Sequence, residues 1–300
     1  MPVASSQSTI VLIGNYKPDR QESMIRFAEM LKSGFQREDF STEIWWPVVL
    51  FGLKITSPNK GVGKWLGYVD KWILFPLVLR WRLFKSKGNS SRTHYHIRDH
   101  SNAPYLSVLP ISRTCITCHD VLAIRGGMGD SAAYSPASGF GRILQKWIFY
   151  HLRRANTIAF VSRETLNQMT RLVRNINESH RNWKVIHNGF NARFHPLTRE
   201  QRLPLILSAG IHVEKPFLLY VGSGILRKNR NLLLDMVKQL GNRWEGDICY
   251  AGEALDSIFR THAKTLGLEQ RIISVIKPDH NTLVALYSAC QAFIFPSFSE

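Results

Sequence analysis

Three hundred residues are enough for two domains of ordinary size, and 44% hydrophobic with 20% charged residues excludes a disordered or collagen-like chain. The 39 lysines and arginines outnumber the 22 aspartates and glutamates, and the formal charge of +17 favours anionic partners: phosphorylated substrates, a phospholipid surface or nucleic acid. No uncharged apolar run reaches the ~18 residues of a spanning helix, and the opening MPVASSQSTIVLIG lacks the basic start and longer apolar core of a signal peptide.

Strands and helices alternate from there on. TIVLIG (9–14) reads as a first strand ending in Gly14. ESMIRFAEMLKSGF follows as an amphipathic helix with Met24, Phe27, Ala28 and Leu31 on one face. STEIWWPVV is a second strand. GKWLGYVDKWILFPLVLRWRLFKSKG (63–88) then interleaves Trp65, Trp72 and Trp81 with Lys64, Lys71, Arg80, Arg82, Lys85 and Lys87 around one acid, Asp70. Basic residues around a Trp- and Leu-rich helix fit an interfacial helix in anionic headgroups, although Pro76 would kink it; a covering helix of the first domain fits equally. HYHIRD, RTCITCHD, TIAFVS and WKVIHNG supply four more strands, with helices GRILQKWIFYHLRRA and RETLNQMTRLVRNI between the last three. HYHIRDHSNAPYL places His100 and Asn102 just past a strand end, where acceptor-side contacts are expected.

Residues 191–215, within a segment holding three prolines and no clear period, read as a linker. The rhythm then restarts with strands FLLYVGS, DICYAGE, IISVIK and QAFIFPS separated by three helices. The expected architecture is α/β, with two doubly wound parallel-sheet domains, 1–190 and 216–300, the second incomplete.

YVGSGILRKNRNLLLDMV carries the most chemistry. A strand delivers Gly222 and Ser223, a loop carries Arg227 and Lys228, and a helix opens near Asn229. Open α/β sheets bind ligands at the carboxyl ends of their strands, and a helix start there offers N–H groups and a positive dipole end to an anion. Arg227 and Lys228 complete a diphosphate cradle, although a solvated charged turn before a helix would use the same letters. G-x-G-x-x-G does not follow the first strand, which argues against a dinucleotide-dependent oxidoreductase. A nucleic-acid-binding protein would suit the charge but lacks any recognised module, so no nucleic-acid partner is expected.

Taken with FVSRETL, VIHNGF, DICYAGE and LYSACQAFIFPSFSE, this run resembles glycosyltransferase family 4, retaining enzymes of the GT-B fold that use nucleotide sugars. The resemblance covers nearly the whole chain. It implies transfer of a sugar from a nucleoside diphosphate to a saccharide or lipid-linked acceptor, with no metal or other cofactor, by a cytoplasmic protein touching the inner face of the cytoplasmic membrane. It implies that Lys228 and Arg227 stabilise the leaving diphosphate, that Glu300 of FPSFSE contacts the donor sugar, and that Ile276 and Lys277 line the base site. His119 of TCHDV would sit by the transferred sugar, with Asp120 orienting it or touching the acceptor. The second glutamate of the paired motif would be residue 308, so a truncated, catalytically impaired remnant is the alternative expectation.

Two departures weaken single contacts. Ser223 stands where the family often has arginine, and GNYKPDRQESM replaces a glycine pair, leaving Gly14 and the amides near Gln21 to meet a phosphate or merely to start a helix. CITCH also matches the c-type haem pattern, but an alternating strand with reduced thiols in a cytosolic protein does not suit haem attachment or a zinc site.

Overall fold

The computed structural model describes residues 8–54, 61–86, 91–173, 181–190, 192–212 and 214–299. They form two compact units, the first from residues up to Asp130 together with Pro136–Asn191, the second from Ser131–Ser135 together with Ala192–Glu300.

In the first unit, β1 (Thr9–Ile13), β2 (Ser41–Trp45), β3 (Thr93–Ile97), β4 (Thr114–Cys118), β5 (Thr157–Phe160) and β6 (Asn182–Val185) make one parallel sheet in the order β2-β1-β3-β4-β5-β6. Its helices are α1 (Glu22–Arg37), α2 (Gly61–Val69), α3 (Phe75–Lys85), α4 (Leu122–Gly127), α5 (Gly139–Leu152) and α6 (Arg163–Leu172). Val11, Leu12 and Ile13 are all buried, as expected for a strand whose two faces are both covered. One face packs Val11, Ile13, Ile97, Ile116 and Phe160 against Phe75 and Leu79 of α3, Ile148 and Leu152 of α5, and Met169 of α6. On the other, Phe27, Met30, Leu31 and Phe35 of α1 border a recess of about 540 Å³ floored by Ile10, His94, His96 and Thr117.

The basic-aromatic segment does not break at Pro76. A five-residue π-helical stretch, Asp70–Leu74, joins α2 to α3 and places the proline in the first turn of α3, where a missing N–H costs little. Asp70, the one acid of the segment, is fully buried. Its carboxylate accepts from the Tyr16 hydroxyl (2.6 Å) and from the N–H groups of Leu50 (3.2 Å), Phe51 (3.2 Å) and Gly52 (3.0 Å). A hinge in the helix thus anchors both the loop after β1 and the turn after β2.

The second unit is a four-stranded parallel sheet in the order β10-β7-β8-β9, built from β7 (Phe217–Gly222), β8 (Asp247–Gly252), β9 (Ile272–Ile276) and β10 (Ala292–Phe293). Helices α8 (Asn231–Leu240), α9 (Ser257–Thr265) and α10 (His280–Ala289) connect them. The expected linker is corrected in part: Arg199–Ser208 is a helix, α7, opened by a reciprocal capping box between Thr198 and Gln201. Pro204 inside it hid the helical period, and Ile206 is buried in the core of this unit with Ile211, Phe217 and Leu219. Gly252, at φ 135°, comes so close to β7 that a Cβ would lie 2.3 Å from the Gly222 carbonyl oxygen, so the AG pair at the end of β8 is a packing requirement.

Asp70→Ala should destabilise the protein by about 3 kcal/mol or more in urea unfolding, because four donors lose their acceptor in the interior. Asp70→Asn, which keeps one carbonyl oxygen, should recover about half of that loss.

Candidate functional site

In each sheet the chain reverses its direction of winding beside its first strand. In the second unit β8 and β9 lie on one side of β7 and β10 on the other, so the crevice falls between the carboxyl ends of β7 and β10. Arg227 and Lys228 sit there, in a single 3₁₀ turn, Leu226–Lys228, closed by Asn229 in the left-handed region at φ 48°. The turn is stitched to the segment leaving β10. Phe298 N–H donates to the Arg227 carbonyl (2.8 Å), the Arg227 guanidinium to the Ser299 carbonyl (3.1 Å), and the Asn229 amide to the Pro296 carbonyl (3.2 Å). Lys228 Nζ lies 4.8 Å from the centre of the Phe295 ring, a cation–π contact. Tyr134 stacks on Phe298, with centroids 4.6 Å apart and planes 12° from parallel.

Behind the turn the loop is held from inside. Tyr220 donates its hydroxyl to the Ser223 carbonyl (2.9 Å), and Gly224 N–H donates to Glu253 (2.9 Å). Arg230, buried, pairs with Asp256 and stands 4.9 Å from the Phe259 ring centre. A Cβ on Gly224 would meet its guanidinium at 2.6 Å. Neither Arg230 nor Glu253 was foreseen; the fourth letter of RKNR was the only signal for the arginine. Helix α8 starts just beyond with no side-chain cap, whereas Ser138, Ser162, Thr198, Asp256 and Asp279 cap α5, α6, α7, α9 and α10. Gly222 ends β7 and Ser223 follows it. Ile276 ends β9 and Lys277 follows it, two strands from β7, which is about 10 Å away at ordinary strand spacing. Ile276 is exposed and Lys277 takes φ 47°, a conformation uncommon for a residue with a side chain. Glu300 lies outside the described residues.

In the first unit the reversal falls between β1 and β3. A polar cluster fills their carboxyl ends. The Asn15 amide donates to Asp99 (2.7 Å) and Gln21 (2.6 Å), and Asn102 donates to the Asn15 carbonyl oxygen (3.0 Å). Asp99 also caps the 3₁₀ helix His100–Ser107 by accepting from Ser101 N–H (2.9 Å), with His100 Nδ1 3.4 Å away. Burial opposes ionisation of Asp99, but His100, the Ser101 N–H, Asn15 and His119 together outweigh it and hold the carboxyl below its ordinary range. Arg98, fully buried, donates to the Ile13 carbonyl (3.2 Å) and the Met24 carbonyl (2.6 Å) and stands 5.1 Å from the Trp46 ring centre. Burial draws its pKa down to about 10, so it stays cationic at neutral pH.

His119 closes this cluster. Its Nε2 lies 3.0 Å from the Arg98 carbonyl, which can only accept, so neutral His119 carries its proton on Nε2 and leaves Nδ1 as a lone pair. Phe27 packs edge-on against the ring at 4.9 Å. Burial lowers its pKa, against the opposing pull of Asp99. His100 and Asn102 are both buried in the cluster. Asp120 accepts from Leu122 N–H (2.9 Å) and so starts α4. Gly14 is otherwise engaged: its N–H donates to the Trp45 carbonyl (2.8 Å), and a Cβ would strike the Trp46 ring at 2.4 Å. Its missing side chain leaves room for Trp46. Cys115 and Cys118, three apart on β4, point to opposite faces of the sheet, and burial raises both thiol pKa values.

No protein-family model matches the sequence, and no curated protein matches it. Solved structures do. Sucrose-phosphate synthase from Thermosynechococcus elongatus superposes with a TM-score of 0.64 at 17% identity, over 98% of this chain and 76% of its own. HepE of Anabaena in complex with UDP gives 0.61 at 13% identity, over 97% and 74%. WaaG, a glycosyltransferase involved in lipopolysaccharide biosynthesis, gives 0.59 at 13% identity, over 97% and 75%. The fold is GT-B. In this GT-B chain both winding reversals carry the polar residues singled out above.

His119 and His96, the latter lowered to about 4 mainly by burial and then by Arg98 and His119, both have folded pKa values below the ordinary ~6.5. The unfolded chain therefore binds more protons below that pH, and stability present above it is lost as the pH falls. Urea midpoints should drop between about pH 7.5 and about pH 5, a window in which Asp99 stays ionised and adds no slope. His119→Gln should flatten that dependence.

Proposed function

We propose that the chain is a retaining glycosyltransferase, moving a hexose from a nucleoside diphosphate to a saccharide or a lipid-linked saccharide presented at the inner face of a membrane. The observation that carries the reading is the pairing, at one crevice, of two fixed cations with an uncapped helix start. Diphosphate departure leaves negative charge on the bridging oxygen as the anomeric carbon takes on oxocarbenium character. Positive groups already in place stabilise that charge without rearranging. Lys228, held over Phe295, and Arg227, held against Ser299, are the groups that face it, with the α8 dipole behind them. They supply the charge compensation, so no metal enters the proposal.

The nucleoside then runs across the end of β8 toward Ile276 and Lys277. The ~10 Å between β7 and β9 suits a nucleoside next to its diphosphate. HepE in the comparison was solved with UDP and with UDP-glucose, which makes a uridine nucleotide the first to test. On the acceptor side, neutral His119 with a free Nδ1 is the group suited to accept a hydrogen bond from a sugar hydroxyl. Asn15, Asp99 and Asn102 set the wall beside it, with Asp120 at the start of α4.

Saturation-transfer NMR against UDP, GDP and ADP should give ribose and base signals for one nucleotide. Lys228→Ala should weaken that binding about tenfold or more and lower sugar transfer about 100-fold while leaving the unfolding midpoint unchanged. Signals that survive unaltered in Lys228→Ala would remove the diphosphate from this crevice. No signal from any nucleotide would remove the donor site altogether.

A further inference from the structure

A cleft of about 260 Å³ opens in the second unit beside the start of β7, at the end of the sheet away from the crevice. Helix α7 supplies one wall, because Arg199, Arg202, Leu203 and Ile206 recur at the three- and four-residue spacing that shares one helix face. Gly210, just past the helix end, takes φ 78° and turns the chain. His212 and Lys215, beyond that turn, complete the rim before Phe217 enters β7. Ile206 and Phe217 are buried core residues, so the floor of the cleft is apolar.

The charges around it have one sign. Arg199, Arg202 and Lys215 line the cleft, and no aspartate or glutamate does. Glu200 and Glu214 adjoin two of these cations in the sequence but do not line it. The Glu200 carboxyl is engaged at the helix start, where its own backbone N–H and then the Thr198 hydroxyl hold it below its ordinary range, with Arg199 and Arg202 as lesser contributors. Arg202 is half-buried, and its Nη1 donates to the Ser288 carbonyl near the end of α10, a contact that occupies part of the guanidinium fork and steadies the remainder. Cations gathered at one cleft without a carboxylate repel each other, and a bound anion offsets that repulsion.

We propose that this cleft binds a small phosphomonoester, its phosphate held by Arg199, Arg202 and Lys215 and its carbon body resting on Ile206 and Phe217. The planar fork of arginine matches phosphate oxygens in pairs, and a phosphate dianion answers several cations where a carboxylate answers one. The volume lies just under the ~300 Å³ at which sites for drug-sized ligands begin, so the ester is a small one. Phe217 and Gly222 are the two ends of β7, roughly 16 Å apart at ordinary strand spacing. The cleft and the donor crevice are therefore separate, and the proposal stands on residues that the donor reading does not use.

The test is isothermal titration calorimetry of the full chain with phenyl phosphate, inorganic phosphate and benzoate, in about 0.15 M salt so that loose counter-ion binding is screened. Phenyl phosphate should bind saturably. Inorganic phosphate and benzoate should each bind at least about tenfold less tightly, since one lacks the carbon body and the other the dianion. Arg199→Glu with Lys215→Glu should weaken phenyl phosphate at least about tenfold. Both residues are exposed, so the unfolding midpoint and nucleotide binding of that variant should stay at wild-type values. Lys228→Ala should bind phenyl phosphate as wild type does. Failure of wild type to bind the ester would overturn the inference, and so would equal binding of benzoate or of inorganic phosphate. Ester binding that is lost in Lys228→Ala and kept in the double variant would place the ligand in the donor crevice and overturn it as well.

Discussion

The constraint on which the molecule depends is the handedness of its crossovers. A right-handed βαβ connection places its helix on one face when the chain moves one way along the sheet and on the other face when it moves back. Where the direction changes, the carboxyl ends of two neighbouring strands are left without a loop crossing between them. In this chain that happens at β1 and β3 and again at β7 and β10. Much of the polar lining follows from those two reversals, because the residues after each strand end are the ones that can line the crevice, while His119 comes in from the end of the neighbouring β4. Asn15 follows β1, Asp99 and His100 follow β3, Ser223 follows β7, and Ser297 and Ser299 follow β10.

The two crevices are furnished differently, and the difference is physical. In the second unit the loop after β7 holds its two cations half-buried against the segment after β10, and its internal order comes from contacts with that segment and from Arg230 beneath it. Such a loop presents charge with little freedom to reorganise, the condition under which electrostatic stabilisation of a leaving group is strongest. In the first unit the polar groups bond mainly to each other: Asn15 alone joins Gln21, Asp99 and Asn102. Such mutual bonding fixes geometry, and the contact of His119 Nε2 with the Arg98 carbonyl leaves a lone pair on Nδ1.

The strand count and the longer helices were legible because each strand is a compact apolar run and those helices have a clear period, as in TIVLI and NLLLDMVKQL, whereas the short α4 was missed. Arg227, Lys228, His119, His100 and Asn102 were legible as strand-end residues. What the letters hid were residues whose meaning is three-dimensional. Asn15 looks like any turn residue until β3 brings Asp99 beside it, 84 positions away. Gly14 looks like a ligand-approach glycine until Trp46 is seen filling its place. The helix α7 was hidden by Pro204 and by the expectation that irregular composition marks a linker, whereas its capping box, Thr198 to Gln201, was present in the sequence.

Net charge also means less than its sum indicates. Asp70, Arg98 and Arg230 are buried charges, and each binds a loop or a strand end to the body of its unit. What an anionic partner meets is the local excess on particular elements, such as the acid-free α5 and the loop carrying Arg227 and Lys228. The burial of Asp70 sharpens this point: by withdrawing the one acid of the basic-aromatic helix into the hydrogen-bonded hinge that shapes it, the fold leaves the outward face of that helix wholly cationic and apolar. The same carboxylate that secures the loops after β1 and β2 therefore also determines the character of a surface it does not touch.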